Sequence, residues 1–367
     1  MTIRKGIYKK FGKFFLFLTL NLFFTACVIW VAYHNRTRIK KWMDHENSFS
    51  PEDKVIMYDI FSSPLISDEE DLVYKPVNNS DDLISCLKKS SLPDSLNLLN
   101  IFDSCRVLSS EKYRSSVLKI KYILYGDTLE SFIFFTKQNT SGKLAHTAVL
   151  HIPGSGDNRT SKVAGRELDK EDPVAQAQQI NADIYFPVFP ADDILAIHDG
   201  TKMLDIKKIG SYVVSINRSF ALKYFADIFA AEKYLRPQYN SFHTWGHSRG
   251  GSVAAVAACI FLPDTLIVSS GYSVYADKFF RLGPDQAWWP QSMSFWDKNF
   301  IKERLGNKKT VSYFLFGKKE TDDIYGLECK YFYTEKFFKD CPNIKIRYSD
   351  NKHIWFSQEI SAILAGK

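Results

Sequence analysis

Ser241-Phe-His-Thr-Trp-Gly246-His-Ser248-Arg-Gly-Gly251-Ser-Val-Ala-Ala-Val-Ala-Ala-Cys-Ile260 is the stretch whose reading decides how this chain folds. Its opening, Ser241–Trp245, carries aromatic and β-branched residues and reads as a strand. Gly250–Ile260 is a run of small and apolar residues and reads as a buried helix. Between them, Gly246-His247-Ser248-Arg249-Gly250 has the form Gly-x-Ser-x-Gly. A serine caught between a strand and a helix stands on a sharp turn in a strained conformation, and glycine at 246 and 250 lets neighbouring backbone approach. A glycine-rich turn with a bystander serine would give the same string, so the partners of Ser248 decide its meaning.

Outward from this turn the chain alternates strands with helices. Val117–Leu124 and Leu129–Phe135 read as strands joined by the turn signal Gly126-Asp127, a hairpin. Ala148–Ile152 is a third strand, ending at Pro153-Gly154-Ser155-Gly156. Pro173–Ile180 reads as a helix, Asp183–Phe189 as a buried strand and Ser219–Leu235 as an amphipathic helix. Thr265–Ser269, Val311–Phe316 and Ile344–Tyr348 are further strands, with helices near 328–339 and at Phe356–Leu364. A hairpin followed by such alternation predicts an α/β fold, a mostly parallel sheet with helices on both faces. Ligands of such sheets bind beyond the carboxyl ends of the strands.

A serine hydroxyl is a weak nucleophile at neutral pH and needs an adjacent base, which a carboxylate must orient. His353 lies in Ser349-Asp350-Asn351-Lys352-His353, directly after the last strand and before the last helix. Acid candidates follow Val311–Phe316 in Gly317-Lys-Lys-Glu320-Thr-Asp322-Asp323-Ile324. The order is serine, acid, histidine. Among the other histidines, His247 shapes the turn, His34 and His45 flank an apolar segment, and His151, His198 and His243 lack ligand-like companions. No Cys-x-x-Cys pair suggests a metal site.

With these residues in place the chain resembles the α/β-hydrolase superfamily over about residues 115–367. Gly-His-Ser-Arg-Gly-Gly at 246–251 is most similar to the dienelactone-hydrolase and prolyl-oligopeptidase-like branches. The resemblance implies an eight-stranded sheet, Ser248 as nucleophile and His353 as general base. It favours Asp322 as the acid, because an apolar residue, Ile324, follows by two positions. Glu320, three residues after Gly317, and Asp323 remain alternatives. It also implies an oxyanion hole made by the backbone N–H groups of Ser155 and Arg249. Proline stands at 153 where the family has histidine, which removes an N–H at 153 but not the donor at 155. The Arg249 side chain faces either an acidic or carbonyl-rich substrate or a salt bridge to a neighbouring loop. Trp288 and Trp289, in an aromatic-rich stretch at 274–306, line an acyl or ring subsite of a cap insert or simply pack a short helical insert. The chemistry requires neither metal nor organic cofactor.

Composition bounds the remainder. The 367 residues are 45% apolar and 24% charged, which excludes a largely disordered chain. The net charge of +7 is local: residues 1–43 hold nine Lys/Arg and no acid, leaving 39 basic against 41 acidic residues elsewhere. That leaves no basic face for nucleic acid. Phe14–Tyr33 is 20 residues without a charge, flanked by Arg4, Lys5, Lys9, Lys10 and Lys13 before and Arg36, Arg38, Lys40 and Lys41 after. It is long enough to span a bilayer and reads as an uncleaved single-pass signal anchor, with the slight N-side charge excess placing the catalytic domain outside the cytoplasm. Phe24-Thr-Ala-Cys27 also resembles a relaxed lipoprotein cleavage box, but Val28–Val31 stay apolar. The chain thus divides into the anchor at 1–43, a linker and N-terminal extension at 44–113, and the catalytic domain at 114–367. If that domain is extracytoplasmic, Cys86 with Cys105 and Cys329 with Cys341 are the sequence-near disulfide pairs, and Cys259 is a packed thiol. Asn158, one of five Asn-x-Ser/Thr sites, lies beside the oxyanion loop, where a glycan would obstruct substrate; this favours an unglycosylated prokaryotic protein.

The expected function is that of a membrane-anchored serine hydrolase cleaving an ester of a small-molecule or lipid-like substrate through an acyl-enzyme. The alternatives are a peptidase, although no N-terminal propeller precedes the domain, and a catalytically silent binding module, although serine, histidine and an acid are all present. Oligomeric state is not encoded in any motif.

Overall fold

Segments whose side chains alternate between two apolar faces pair into a nine-stranded sheet: β1 (Arg106–Arg114), β2 (Val117–Leu124), β3 (Asp127–Thr136), β4 (Thr147–Ile152), β5 (Ala182–Pro187), β6 (Ser241–His247), β7 (Thr265–Ser269), β8 (Val311–Gly317) and β9 (Ile344–Ser349). The structure is a computed structural model that describes residues 79–114, 117–136, 147–154, 182–199, 202–203, 209–210, 213, 215–271, 298–306, 309–318, 330–350 and 356–366. The chain divides into two units, 1–71 and 72–367, and every described residue belongs to the second.

The strand order is β9-β8-β7-β6-β4-β5-β3-β2-β1. From β5 to β9 all neighbours pair in parallel, and β3, β2 and β1 are added antiparallel. β2 and β3 form the expected hairpin, closed by Tyr125 and Gly126 with φ of 51° and 91°. A two-residue turn with both φ values positive matches the right-handed twist of the strands.

Two expectations need correction. The sheet has nine strands rather than eight, and the boundary at 114 cuts off the ninth, since β1 pairs with β2 along its length. Residues 80–113 are therefore part of this fold. Helix α1 (Ser80–Lys89) starts at Asn79, whose side chain accepts from the N–H groups of Asp81 and Asp82. Leu87 of α1 and Leu98 and Ile101 of helix α2 (Leu98–Ser104) enter the main core. Leu92 and Pro93 pair with Ser219 and Arg218, and the Arg218 guanidinium donates to the carbonyls of Lys88 and Ser91 at 2.8 and 2.6 Å. Of the stretch at 274–306, expected as a cap insert or as a packed helical insert, only the end is described. Its end is helix α5 (Lys298–Gly306), whose Ile301 and Leu305 are fully buried in the core. α5 is a crossover between the parallel neighbours β7 and β8, a connection that such pairs require.

Helices cover both faces. On one face α3 (Phe220–Leu235), α4 (Arg249–Phe261), α5 and Phe338 of α6 (Lys330–Phe338) pack with Leu150, Phe242, Val268 and Phe314. On the other, Ile360 and Ile363 of α7 (Ser357–Leu364) pack with Val149, Trp245, Ile267 and Leu315. Cys86 and Cys105 are both free, so the pairing expected of them is not formed, and burial pushes the Cys105 thiol up to about 12. Cys341 is also free, while Cys329 lies outside the described residues. Among the described residues no helix is long and apolar enough to cross a membrane; the segment 14–33 lies outside them, as does Pro173–Ile180.

Among the described residues one ion pair, Lys223 with Asp227, has both side chains buried. Lys223 and Asp227, one turn apart on α3, meet at 2.5 Å, and Asp227 also accepts from the Tyr122 hydroxyl of β2 at 2.9 Å. Burial pushes the Asp227 carboxyl up, against the pull of Lys223 and Tyr122. Removing one member of such a pair strands a charge in the interior. Asp227→Ala is therefore expected to lower unfolding stability by about 3–5 kcal/mol in urea titrations, and Lys223→Met with Asp227→Leu to recover the greater part of it.

Candidate functional site

At the end of β6 the backbone turns within one residue. Ser248 has φ 53° and ψ −123°, and α4 begins at Arg249. A side-chain-bearing residue in that region costs on the order of 1–3 kcal/mol and persists only where its surroundings impose it. The turn is held by the Ser248 N–H donating to the Ser269 carbonyl at 2.9 Å, and by the Gly251 and Ser252 N–H groups donating to the Ser248 carbonyl.

The flanking glycines explain how so tight a turn fits. A Cβ at Gly246 would lie 2.1 Å from the Gly250 carbonyl oxygen, and one at Gly250 would lie 2.0 Å from that of Ile152. Both contacts are with backbone, which has little room to yield. The second contact also draws β4's outgoing loop, Pro153-Gly154, against the start of α4.

α4 is fixed at its far end as well. Arg236 donates to the carbonyls of Phe261 and Leu262 at 2.7 and 3.0 Å, and Arg304 to that of Cys259 at 2.6 Å. Two guanidinium groups thus satisfy the carbonyl end of the helix, and its N–H end, where negative charge is favoured, opens at Ser248.

The loops expected to carry the acid and the base start from the same edge. His247 is level with Ser269, Ser269 with Leu315, and Gly317 with Ser349. The Ser270 N–H donates to the Leu315 carbonyl and the Lys318 N–H to that of Ser349. β9 lies three strands from β6, about 14 Å at ordinary strand spacing. Phe356 enters the same core cluster as Trp245 of β6.

Of the residues singled out from sequence, Ser248 and Arg249 are described. Ser155, Trp288, Trp289, Glu320, Asp322, Asp323 and His353 lie outside the described residues. His247 is buried. The salt bridge considered for Arg249 is not formed with any described carboxylate. Its guanidinium instead stacks on Phe189, 4.5 Å from the ring centroid. Phe189 is held edge-on by Tyr224 at 5.0 Å, and burial pushes the Tyr224 phenol up against the pull of Arg249.

One residue at this edge escaped the sequence reading. Ser270, directly after β7, has φ 50° and a buried hydroxyl with no hydrogen-bond partner among the described residues. Its only signal in the sequence was the Ser270-Gly271 pair closing a strand.

No protein-family model matches the chain, and no curated protein matches it. Solved structures with a similar chain path include Est1E from Butyrivibrio proteoclasticus, at 12% identity and TM-score 0.41, covering 69% of this chain and 97% of that one. A carbohydrate esterase family 15 glucuronoyl esterase from Caldicellulosiruptor kristjansonii is similar at 12% identity and TM-score 0.45, covering 78% of this chain and 85% of that one. An acylaminoacyl peptidase from Pyrococcus horikoshii is similar at 11% identity and TM-score 0.41, covering 72% of this chain and 49% of that one. None of these likenesses bears on the substrate of this chain.

Gly250→Ala tests the turn directly. The added methyl meets the Ile152 carbonyl, so stability in denaturant titrations should fall by about 1–3 kcal/mol or more. Labelling of Ser248 by a fluorophosphonate should be lost even in the fraction that stays folded.

Proposed function

We propose that this chain, an α/β hydrolase in strand order and in the turn at Ser248, is a serine hydrolase that cleaves an ester through an acyl-enzyme. The observation that carries the reading is the left-handed backbone of Ser248 at the junction of β6 and α4. That conformation ends the strand and starts the helix within one residue, so the serine stands at the N–H end of α4. A bystander serine has no need of it.

In the proposed reaction His353 takes the proton of Ser248, and Asp322 orients the imidazole, with Glu320 and Asp323 as the alternative acids. The Ser248 oxygen attacks the ester carbonyl. The N–H groups of Arg249 and Ser155 receive the oxyanion. His353 then protonates the departing alcohol, and water repeats the cycle on the acyl-enzyme, releasing the acid. The substrate is a small-molecule or lipid-like ester. Residues 14–33 hold the enzyme to a membrane with its catalytic domain outside the cytoplasm, a reading supported by 20 uncharged residues between basic flanks. Trp288 and Trp289 contribute an apolar wall for the acyl chain.

A screen of 4-nitrophenyl esters against wild type, Ser248→Ala and His353→Ala tests this. Each variant should lose at least about 10⁴-fold in kcat, and combining the two should lose little more, because the residues act as a unit. Hydrolysis that survives Ser248→Ala, or cleavage of peptides with none of esters, would remove the reading.

A further inference from the structure

Phe189, two residues past the end of β5, holds the guanidinium of the residue next to the nucleophile. The contact joins the turn after β6 to the end of β5, with β4 between them in the sheet. Phe189 is 6% exposed and braced by Tyr224 at 5.0 Å and Phe220 at 6.4 Å, so the aromatic face beneath the guanidinium is rigid.

The other arginines of this helical face spend their donors inside the protein. Arg236 and Arg304 close the carbonyl end of α4, and Arg218 ties down residues 88–91. Arg249 differs: among the described residues its guanidinium makes no hydrogen bond and no ion pair. Asp192 and Asp227 both act on the Tyr224 phenol, against the pull of Arg249. Stacking leaves the donors in the guanidinium plane available, fixes their direction, and removes much of the entropy lost on binding an anion.

The strand order also gives the guanidinium a side. β8 and β9, whose loops carry the proposed acid and base, lie on one side of β6, and β4 and β5 lie on the other. The alcohol leaves toward the base, and Arg249 faces the opposite half.

Building on the hydrolase reading, we infer that Arg249 is a specificity residue that binds a carboxylate on the acyl half of the substrate. The preferred substrates are half-esters of dicarboxylic acids, hydrolysed to the alcohol and the free diacid. A guanidinium meets a carboxylate with two parallel hydrogen bonds, a geometry that neither lysine nor an amide reproduces.

The test compares the full-length protein on 4-nitrophenyl hydrogen adipate and 4-nitrophenyl hexanoate, which share a six-carbon acyl chain. Wild type should favour the adipate in kcat/KM by about tenfold or more, the size of one charge-assisted contact. Arg249→Gln should abolish that preference, mainly through KM for the adipate, and Arg249→Lys should keep part of it. The ratio of the two esters does not depend on the fraction folded. No preference in wild type, or an equal fall for both esters in Arg249→Gln, would overturn the inference while Ser248-dependent hydrolysis of the hexanoate left the hydrolase reading standing. No turnover of either ester and no fluorophosphonate labelling of Ser248 would remove both.

Discussion

The left-handed backbone of Ser248 is the constraint on which the site depends. Each feature around it is a condition for that one residue to be held there. Side chains are absent at 246 and 250 because the helix backbone and the β4 carbonyl occupy their space. The preceding strand is locked in parallel register on both edges, and the helix that follows is tied at its far end by Arg236 and Arg304. Local strain of a few kcal/mol is offset by contacts distributed over two helices and three strands, none of which is itself chemical. A functional turn is thereby made rigid without any catalytic group contributing to its rigidity.

What could be read from the sequence follows from how local each signal is. β6 and α4 were legible because strand, turn and helix are contiguous and each obeys its own periodicity. The strands β7 and β8 were legible within a residue because they are buried runs bounded by polar loops, and β9 because its apolar residues alternate with polar ones. β1 was not. Arg106–Arg114 is an edge strand whose pairing with β2 shifts register between Val107 and Ser109 and again between Lys112 and Arg114, and its Leu108 is 54% exposed. Each bulge breaks the period of two that marks a strand. Residues 80–104 were misjudged for another reason. Their helices bury few side chains each, and their attachment runs through Arg218, more than a hundred positions away.

The candidate site divides along the same line. Ser248 carries its own evidence, since motif and conformation lie in one stretch. The stack of Arg249 on Phe189 joins residues 60 positions apart that share no pattern, and only packing shows it. Ser270 is intermediate: a Ser-Gly pair after a strand is commonplace, and its positive φ and buried hydroxyl show only in the structure.

The strand order adds a reason for the site to lie where it does. β4 pairs with β5 on one edge and β6 on the other, and the chain builds outward in opposite directions from that point. In an open parallel sheet such a reversal leaves a crevice between the loops, because consecutive connections leave on opposite faces. Here Gly250, at the start of α4, lies close against the Ile152 and Pro153 carbonyls at the end of β4. The reversal separates two kinds of chemistry. In the proposed reaction the acid and base come from the loops after β8 and β9 on one side of β6, and the oxyanion donors and Arg249 belong to the β4 side. That polarity comes from topology before any side chain is chosen.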